Sequence, residues 1–191
     1  MTDHVFRLKF GPQADKTPAE AGSLLPKPTR NPRRLLVLSD IHANWPALVA
    51  VLEHAQGRYD SIWSLGDVVG YGPHPVECVE FLLRYVTPLR WRVGNHDLAM
   101  YGRLPAFSWN GAGAASIAAH KLMLQQAGGN LWEQFGRYVT LERGGPVVRN
   151  YGEGQQVFTH ANLENNMEDY LFPSWTFSTR PNLYRLRNYL S

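Results

Sequence analysis

The chain is 191 residues long, 44% hydrophobic and 12% aromatic, with a formal net charge of +3. That length and apolar content fit one globular α/β domain with a sizeable core. They contain no run of eighteen apolar residues that reads as a membrane span and no charged–apolar–small secretory pattern at the start.

The charge is unevenly placed. In residues 1–34, Arg7, Lys9, Lys16, Lys27, Arg30, Arg33 and Arg34 stand against Asp3, Asp15 and Glu20, a net of +4, and the remainder carries −1. The basic character belongs to this leader, so no nucleic-acid face is expected on the rest of the chain. Cys78 is the single cysteine. An internal disulfide is therefore ruled out, and a reducing cytoplasmic location is expected.

Residues 1–32 are rich in Pro, Lys, Thr, Ala and Gly without a sustained apolar period. They predict a disordered or loosely packed leader whose removal changes stability little. The apolar run 34–39 predicts a first strand, buried on both faces and central. Ala47, Leu48, Val51, Leu52 and Ala55 recur at helical spacing, with Asn44 as N-cap and Gly57 as stop. A second strand follows at 60–65, then the turn-rich Gly70-Tyr71-Gly72-Pro73-His74-Pro75.

The helix from Pro75 ends before Thr87-Pro88. Cys78 lies in its apolar pattern and reads as a buried structural thiol. A third strand at 89–93 leads into Gly94. Residues 98–110 read as a loop over the site, 112–125 as an alanine-rich helix and 131–135 as a short helix. Residues 138–143, 146–151 and 155–159 read as short strands of a second sheet, with Gly144-Gly145 and Gly152-Glu153-Gly154 as turns. Residues 162–181 read as irregular and 182–190 as a short terminal helix.

Each of the first three strands runs into a polar cluster: Asp40-Ile41-His42, Gly66-Asp67-Val68-Val69-Gly70 and Gly94-Asn95-His96-Asp97. Open α/β sheets build their sites just beyond the carboxyl ends of their strands. Three carboxylates, two imidazoles and a carboxamide thus meet at one sheet edge, a donor mixture that suits Mn, Fe or Zn. The strand at 155–159 ends in His160 and repeats the arrangement. Asp40, Asn44, Gly66-Asp67 and Gly94-Asn95 also serve as ordinary turn or cap residues, but turn chemistry does not ask for His42 and His96. His160 reads either as a ligand or as a loop residue. His54 and His120 fall in predicted helices and read as surface or satisfied histidines. His74, in the loop after Asp67, is a candidate for the substrate side.

The order of these motifs and their strand–motif–helix setting resemble the calcineurin-like metallophosphoesterases. The run Gly66-Asp67-Val68-Val69-Gly70-Tyr71-Gly72-Pro73 resembles their small phosphodiesterase branch. The resemblance covers about residues 33–172. It implies a four-layer α/β/β/α sandwich over 33–191 and hydrolysis of phosphate esters by two divalent ions (Mn, Fe, Zn or Ni). Two ions about 3.5–4 Å apart neutralise phosphoryl oxygens and lower the pKa of a bridging water. In that scheme Asp40 and His42 hold the first ion with Asp67, which bridges to a second held by Asn95 and His160. His96 stays unmetallated, to bond a phosphoryl oxygen or protonate the leaving alkoxide, and Asp97 orients His96.

The family also carries a late Gly-His-x-His motif, and no histidine follows His160 here. The expectation is a domain incomplete at its C-terminus, with three named donors per ion, weakened catalysis and an open sheet edge suited to homo-oligomerisation. A truncated sequence, a strand supplied by another chain and lost catalysis are the competing explanations. The functional readings are a metal-dependent phosphoesterase acting on a phosphate-ester substrate, a non-catalytic metal- or phosphate-binding interaction module, and, weakest, a basic-tailed nucleic-acid binder.

Overall fold

The computed structural model describes residues 15–27, 32, 34–104, 111–141, 147–151 and 154–161. The expected irregular segment at 162–181, the terminal helix at 182–190, the turn at Gly144-Gly145 and the first part of the leader lie outside these residues.

The leader departs from expectation where it is described. Helix α1 (Pro18–Gly22) is nucleated by a capping box: the Thr17 hydroxyl accepts from the Glu20 N–H, and the Glu20 carboxylate accepts from the Thr17 N–H at 2.7 Å. Ala21 is fully buried, and a side chain at Gly22 would collide with the Tyr85 ring. The Trp45 indole N–H donates to Lys16 O at 2.7 Å. The stretch is packed onto the domain because Thr17-Pro18-Ala19-Glu20 is a helix start, which composition alone conceals.

Strand β1 (Leu35–Leu38) and helix α2 (Trp45–Ala55) follow, with the Asn44 side chain accepting from the Ala47 N–H as the N-cap reading requires. Strand β2 (Ser61–Ser64) runs parallel to β1, Leu35 opposite Ser61 and Leu38 opposite Ser64. At the start of the pair, Arg34 bonds Asp60 through both its backbone N–H and its guanidinium, each at 2.9 Å. β1 is not buried on both faces: Val37 is 46% exposed, and β1 pairs only with β2 among the described residues.

Helix α3 (Pro75–Tyr85) inserts Cys78, Val79, Phe81 and Leu82 into the core, each fully buried. Burying such side chains stabilises by about 1.5–3 kcal/mol each for the larger ones. The expected third strand is a correction. Pro88–Arg90 is a 3-10 turn, and only Trp91 bridges to Ser64, while the Arg92 N–H donates to Ser64 O at 2.7 Å. Pro88 has no N–H to give a ladder, and Leu89 is 67% exposed, so pairing begins only at the buried Trp91.

The expected loop at 98–110 is also corrected at its start, because Asn95–Met100 forms helix α4. Asp97 drives it by accepting the Gly94 N–H at 3.0 Å from the third helical position. Helix α5 (Gly111–Gln126) matches the alanine-rich segment. Helix α6 (Leu131–Leu141) is longer than expected and absorbs the first part of the strand read at 138–143. Its Leu131, Phe135 and Val139 recur at helical spacing and are buried.

Strands β3 (Val147–Tyr151) and β4 (Gly154–Phe158) form the expected antiparallel pair. The two sheets meet where the Trp63 and Phe158 rings stack, 3.8 Å between centroids. Among the described residues no helix is long and apolar enough to cross a membrane.

Candidate metal centre

Parallel pairing does not stop where the strands stop. Leu65 N–H donates to Leu38 O, Asp40 N–H to Gly66 O, His42 N–H to Asp67 O and Ala43 N–H to Val68 O, at 2.7–3.1 Å. The first two polar clusters are zipped together by their own backbones. The path requires Asp40, His42, Ala43 and Asp67 to adopt left-handed φ between 48° and 53°. Such non-glycine residues are uncommon and concentrate at functional sites. The third cluster closes against the second at Gly94, where any Cβ would overlap the Asp67 carboxylate. Glycine there lets the Asp67 side chain lie flat against the next segment.

Asp67 is the centre of the arrangement. Its Oδ1 accepts the His96 N–H at 2.9 Å. Its Oδ2 lies 3.8 Å from His42 Nε2 and 3.6 Å from His160 Nε2. The side chains of Asp67 and His160 are only 4% and 3% exposed. Asp40 is half exposed and sets Oδ1 3.7 Å from the same His42 Nε2, with the Ser39 hydroxyl bonded to its other oxygen. Asn95 Oδ1 stands 3.1 Å from His160 Nε2.

The two imidazoles share one design. His42 Nδ1 faces Val69 O at 3.0 Å, and His160 Nδ1 faces Leu65 O at 2.9 Å. A neutral imidazole has one N–H, and here oxygens face both nitrogens of both rings. With the N–H on the backbone carbonyl, Nε2 turns its lone pair toward carboxylate and carboxamide oxygens. A cation satisfies that convergence, and a carbonyl-bonded Nδ1–H is the usual support of a metal-ligating histidine. Burial holds His160 below the ordinary imidazole range and so keeps the lone pair available. Burial, with Asp97 and Asp40 nearby, pushes the Asp67 carboxyl well above the usual carboxylate range, against the His96 N–H bond. A buried acid of this kind stays charged only with a compensating cation beside it. The donor set thus fits a divalent metal of intermediate softness.

Ligand-capable atoms of Asp40, Asp67 and His160 lie within 4.8 Å of one another, and so do those of His42, Asp67 and His96. Asp67 belongs to both groups. His96 is therefore closer to the donors than its expected unmetallated role requires. Its ring lies 4.8 Å from that of His42 and is nearly buried, and burial with the adjacent His42 lowers its pKa to about 4.

Asp97 departs from its expected role of orienting His96. Its Oδ1 accepts the N–H groups of Val68 and Val69 at 3.0 and 3.3 Å, and its Oδ2 accepts that of Gly94. It clamps the second motif to the third. His74 is half-buried at the N-terminus of α3, its N–H donating to Ala43 O at 2.9 Å.

His120 is the satisfied histidine of the sequence reading, and the structure gives it a task. Its Nδ1 accepts the Gly70 N–H at 3.0 Å and its Nε2–H donates to Gly72 O at 2.7 Å, while Ser116, one turn earlier on α5, accepts the Tyr71 N–H at 2.9 Å. The four-residue spacing of Ser116 and His120 was the available signal. Tyr71 also escaped the sequence reading; its ring centroid lies 4.9 Å from those of both His42 and His96.

A family model described as calcineurin-like phosphoesterase matches residues 33–184. An uncharacterised protein of Methanocaldococcus jannaschii is 34% identical over 145 residues, 74% of this chain and 55% of its own length. The crystal structure of a metallophosphoesterase from Sphaerobacter thermophilus superposes with a TM-score of 0.54 at 36% identity, over 74% of this chain and 52% of that one. The symmetrical bis(5'-nucleosyl)-tetraphosphatase of Psychromonas ingrahamii is 36% identical over 64 residues, 32% of this chain and 23% of its own. The chain spans about half the length of the first two.

Proposed function

This chain belongs to the calcineurin-like phosphoesterases, and we propose that it hydrolyses phosphate esters at a dinuclear divalent metal centre. The observation that carries the reading is Asp67 Oδ2, flanked by the Nε2 atoms of His42 and His160 at 3.8 and 3.6 Å. Asp40, His42 and Asp67 would hold one ion, and Asp67, Asn95 and His160 the other. When bound, such ions neutralise the phosphoryl oxygens and activate water for attack.

The protein's own part is positional. The Val69 and Leu65 carbonyls fix the two imidazoles, and Asp97 fixes the backbone that carries Asp67. His96, beside His42, is assigned to the substrate: its ring N–H bonds a phosphoryl oxygen, or the ring, once protonated beside the anionic substrate, supplies the proton to the leaving alkoxide, a contribution of about 10²–10⁴-fold. Replacing His96 with alanine then leaves metal content intact and lowers turnover by that factor; loss of metal with activity would instead make His96 a ligand. The catalytic unit is taken as residues 33–191, acting in the cytoplasm with manganese as the first metal to try. Self-association through an open edge of the second sheet is part of the same reading.

The test is to load the purified chain with Mn, Fe, Zn or Ni, count ions per chain by elemental analysis, and follow hydrolysis of bis(p-nitrophenyl) phosphate. Two ions and metal-dependent turnover are expected. A chain that takes up metal and turns over no phosphate ester is a binding module instead.

A further inference from the structure

We propose that the ring of Tyr71 is a stacking ledge for a planar group, a nucleobase or aryl ring, carried by the phosphoester that binds at this centre. The inference rests on the phosphoester reading above and names the class of substituent that the site selects.

Three observations carry it. First, Tyr71 is placed where its own backbone does not favour it. It sits at φ +60°, between Gly70 and Gly72. That conformation costs a glycine nothing and a tyrosine something, yet the middle of this glycine-flanked turn is an aromatic residue. Core packing does not offset the cost well, because Tyr71 is 49% exposed. An observed strained residue of this kind points to function.

Second, the turn is held from both sides. His120 takes the N–H before Tyr71 and the carbonyl after it, and Ser116 takes the N–H of Tyr71 itself. The Gly72 N–H donates to His42 O at 2.9 Å, and the His74 N–H to Ala43 O. The ring is thus carried on a fixed support tied to the first motif. A rigid aromatic surface stacks a ligand with little loss of conformational freedom.

Third, the ring is in the right place. It packs edge-on against His42 (4.9 Å, 81°) and tilted against His96 (4.9 Å, 50°), and leaves half its surface to solvent. A phosphoryl group held beside those imidazoles brings its ester substituent past Tyr71. Base–aromatic stacking is tolerant of base identity and is worth about a tenfold preference or more over a non-aromatic substituent.

The experiment compares two phosphomonoesters of equal charge, adenosine monophosphate and methyl phosphate, by calorimetric titration of the full chain loaded with Mn. Wild type and Tyr71→Phe should bind the nucleotide about tenfold more tightly than methyl phosphate. Tyr71→Ala should bind the two alike. Tyr71→Leu, which keeps bulk without an aromatic face, should behave as the alanine variant and decides the matter if that variant is unfolded. A wild type with no preference, an alanine or leucine variant that retains it, or a phenylalanine variant that loses it overturns the ledge; the last would move the interaction to the hydroxyl. A chain that keeps the nucleotide preference but hydrolyses no phosphate ester, monoester or diester, defeats the hydrolytic reading and leaves the ledge standing.

Discussion

Two neighbourhoods of this molecule use imidazoles in opposite ways. On α5, His120 meets one donor and one acceptor, the complement of a neutral ring. At the strand ends, His42 and His160 meet oxygens on both sides. The side chain is the same, and what differs is whether the surroundings already complete it. His120 is finished by the protein and serves as a strut. In their neutral form His42 and His160 keep an Nε2 lone pair turned toward oxygens, which a cation would complete. Hydrogen-bond demand, read atom by atom, marks His120 as a structural histidine and His42 and His160 as candidates for a ligand role without any appeal to sequence motif.

Replacing Asp67 with alanine is the strongest attack on that contrast, because both unfinished imidazoles converge on its Oδ2. Metal retained after identical purification should fall at least about tenfold, as expected for losing a shared donor. Equal metal in mutant and wild type by elemental analysis would refute the bridging assignment. Next comes His160→Ala, which should release one of two ions and leave the other; an unchanged ion count would return His160 to the loop residue that the sequence also allowed.

His120→Ala tests the other side. Metal content should hold, while the Gly70 N–H and Gly72 carbonyl lose their partner. Leaving buried groups unmatched costs about 1–3 kcal/mol each, so Tm should drop by several degrees. Metal loss without destabilisation would erase the distinction.

The smallest effect is in pH. Burial, with His42 nearby, holds the His120 pKa below the ordinary imidazole range. Its folded pKa is therefore below its unfolded one, near about 6.5. Stability from this group is complete above that pH and is lost as pH falls below it, since the unfolded chain takes up the proton first. Thermal melts of wild type from about pH 7 to about pH 5 should decline more steeply than those of His120→Gln. Parallel profiles would mean that His120 does not titrate in this way.

The sequence made the donors legible and the supports illegible. Asp40, His42, Asp67, Asn95 and His160 follow strand ends in the sequence, and the structure brings them together. Strand-end position survives small errors in the element, which is why His96 was placed near the site although the strand expected before it is one bridge long. The clamping role of Asp97 is not legible in the sequence, because its partners are backbone N–H groups of Val68 and Val69, 29 and 28 positions away; backbone partners leave no residue type to recognise. α1 was missed because five residues carry no period, although its capping box was written in Thr17 and Glu20. α6 was cut short because Tyr138, Val139 and Thr140 favour strands locally, and tertiary burial of Phe135 and Val139 overrides that preference.

The Leu65–His160 bond joins residues 95 positions apart, against 27 for the Val69–His42 bond. Closing the longer loop costs about 1 kcal/mol more in chain entropy, and long-range contacts of this kind slow folding. We expect the donors of the first two motifs to come together early, when β1 and β2 pair, and β4 to deliver His160 last. A refolding chain would then offer a divalent ion an incomplete cradle before a complete one, and capture of the ion by Asp40, His42 and Asp67 would precede the docking of the second sheet.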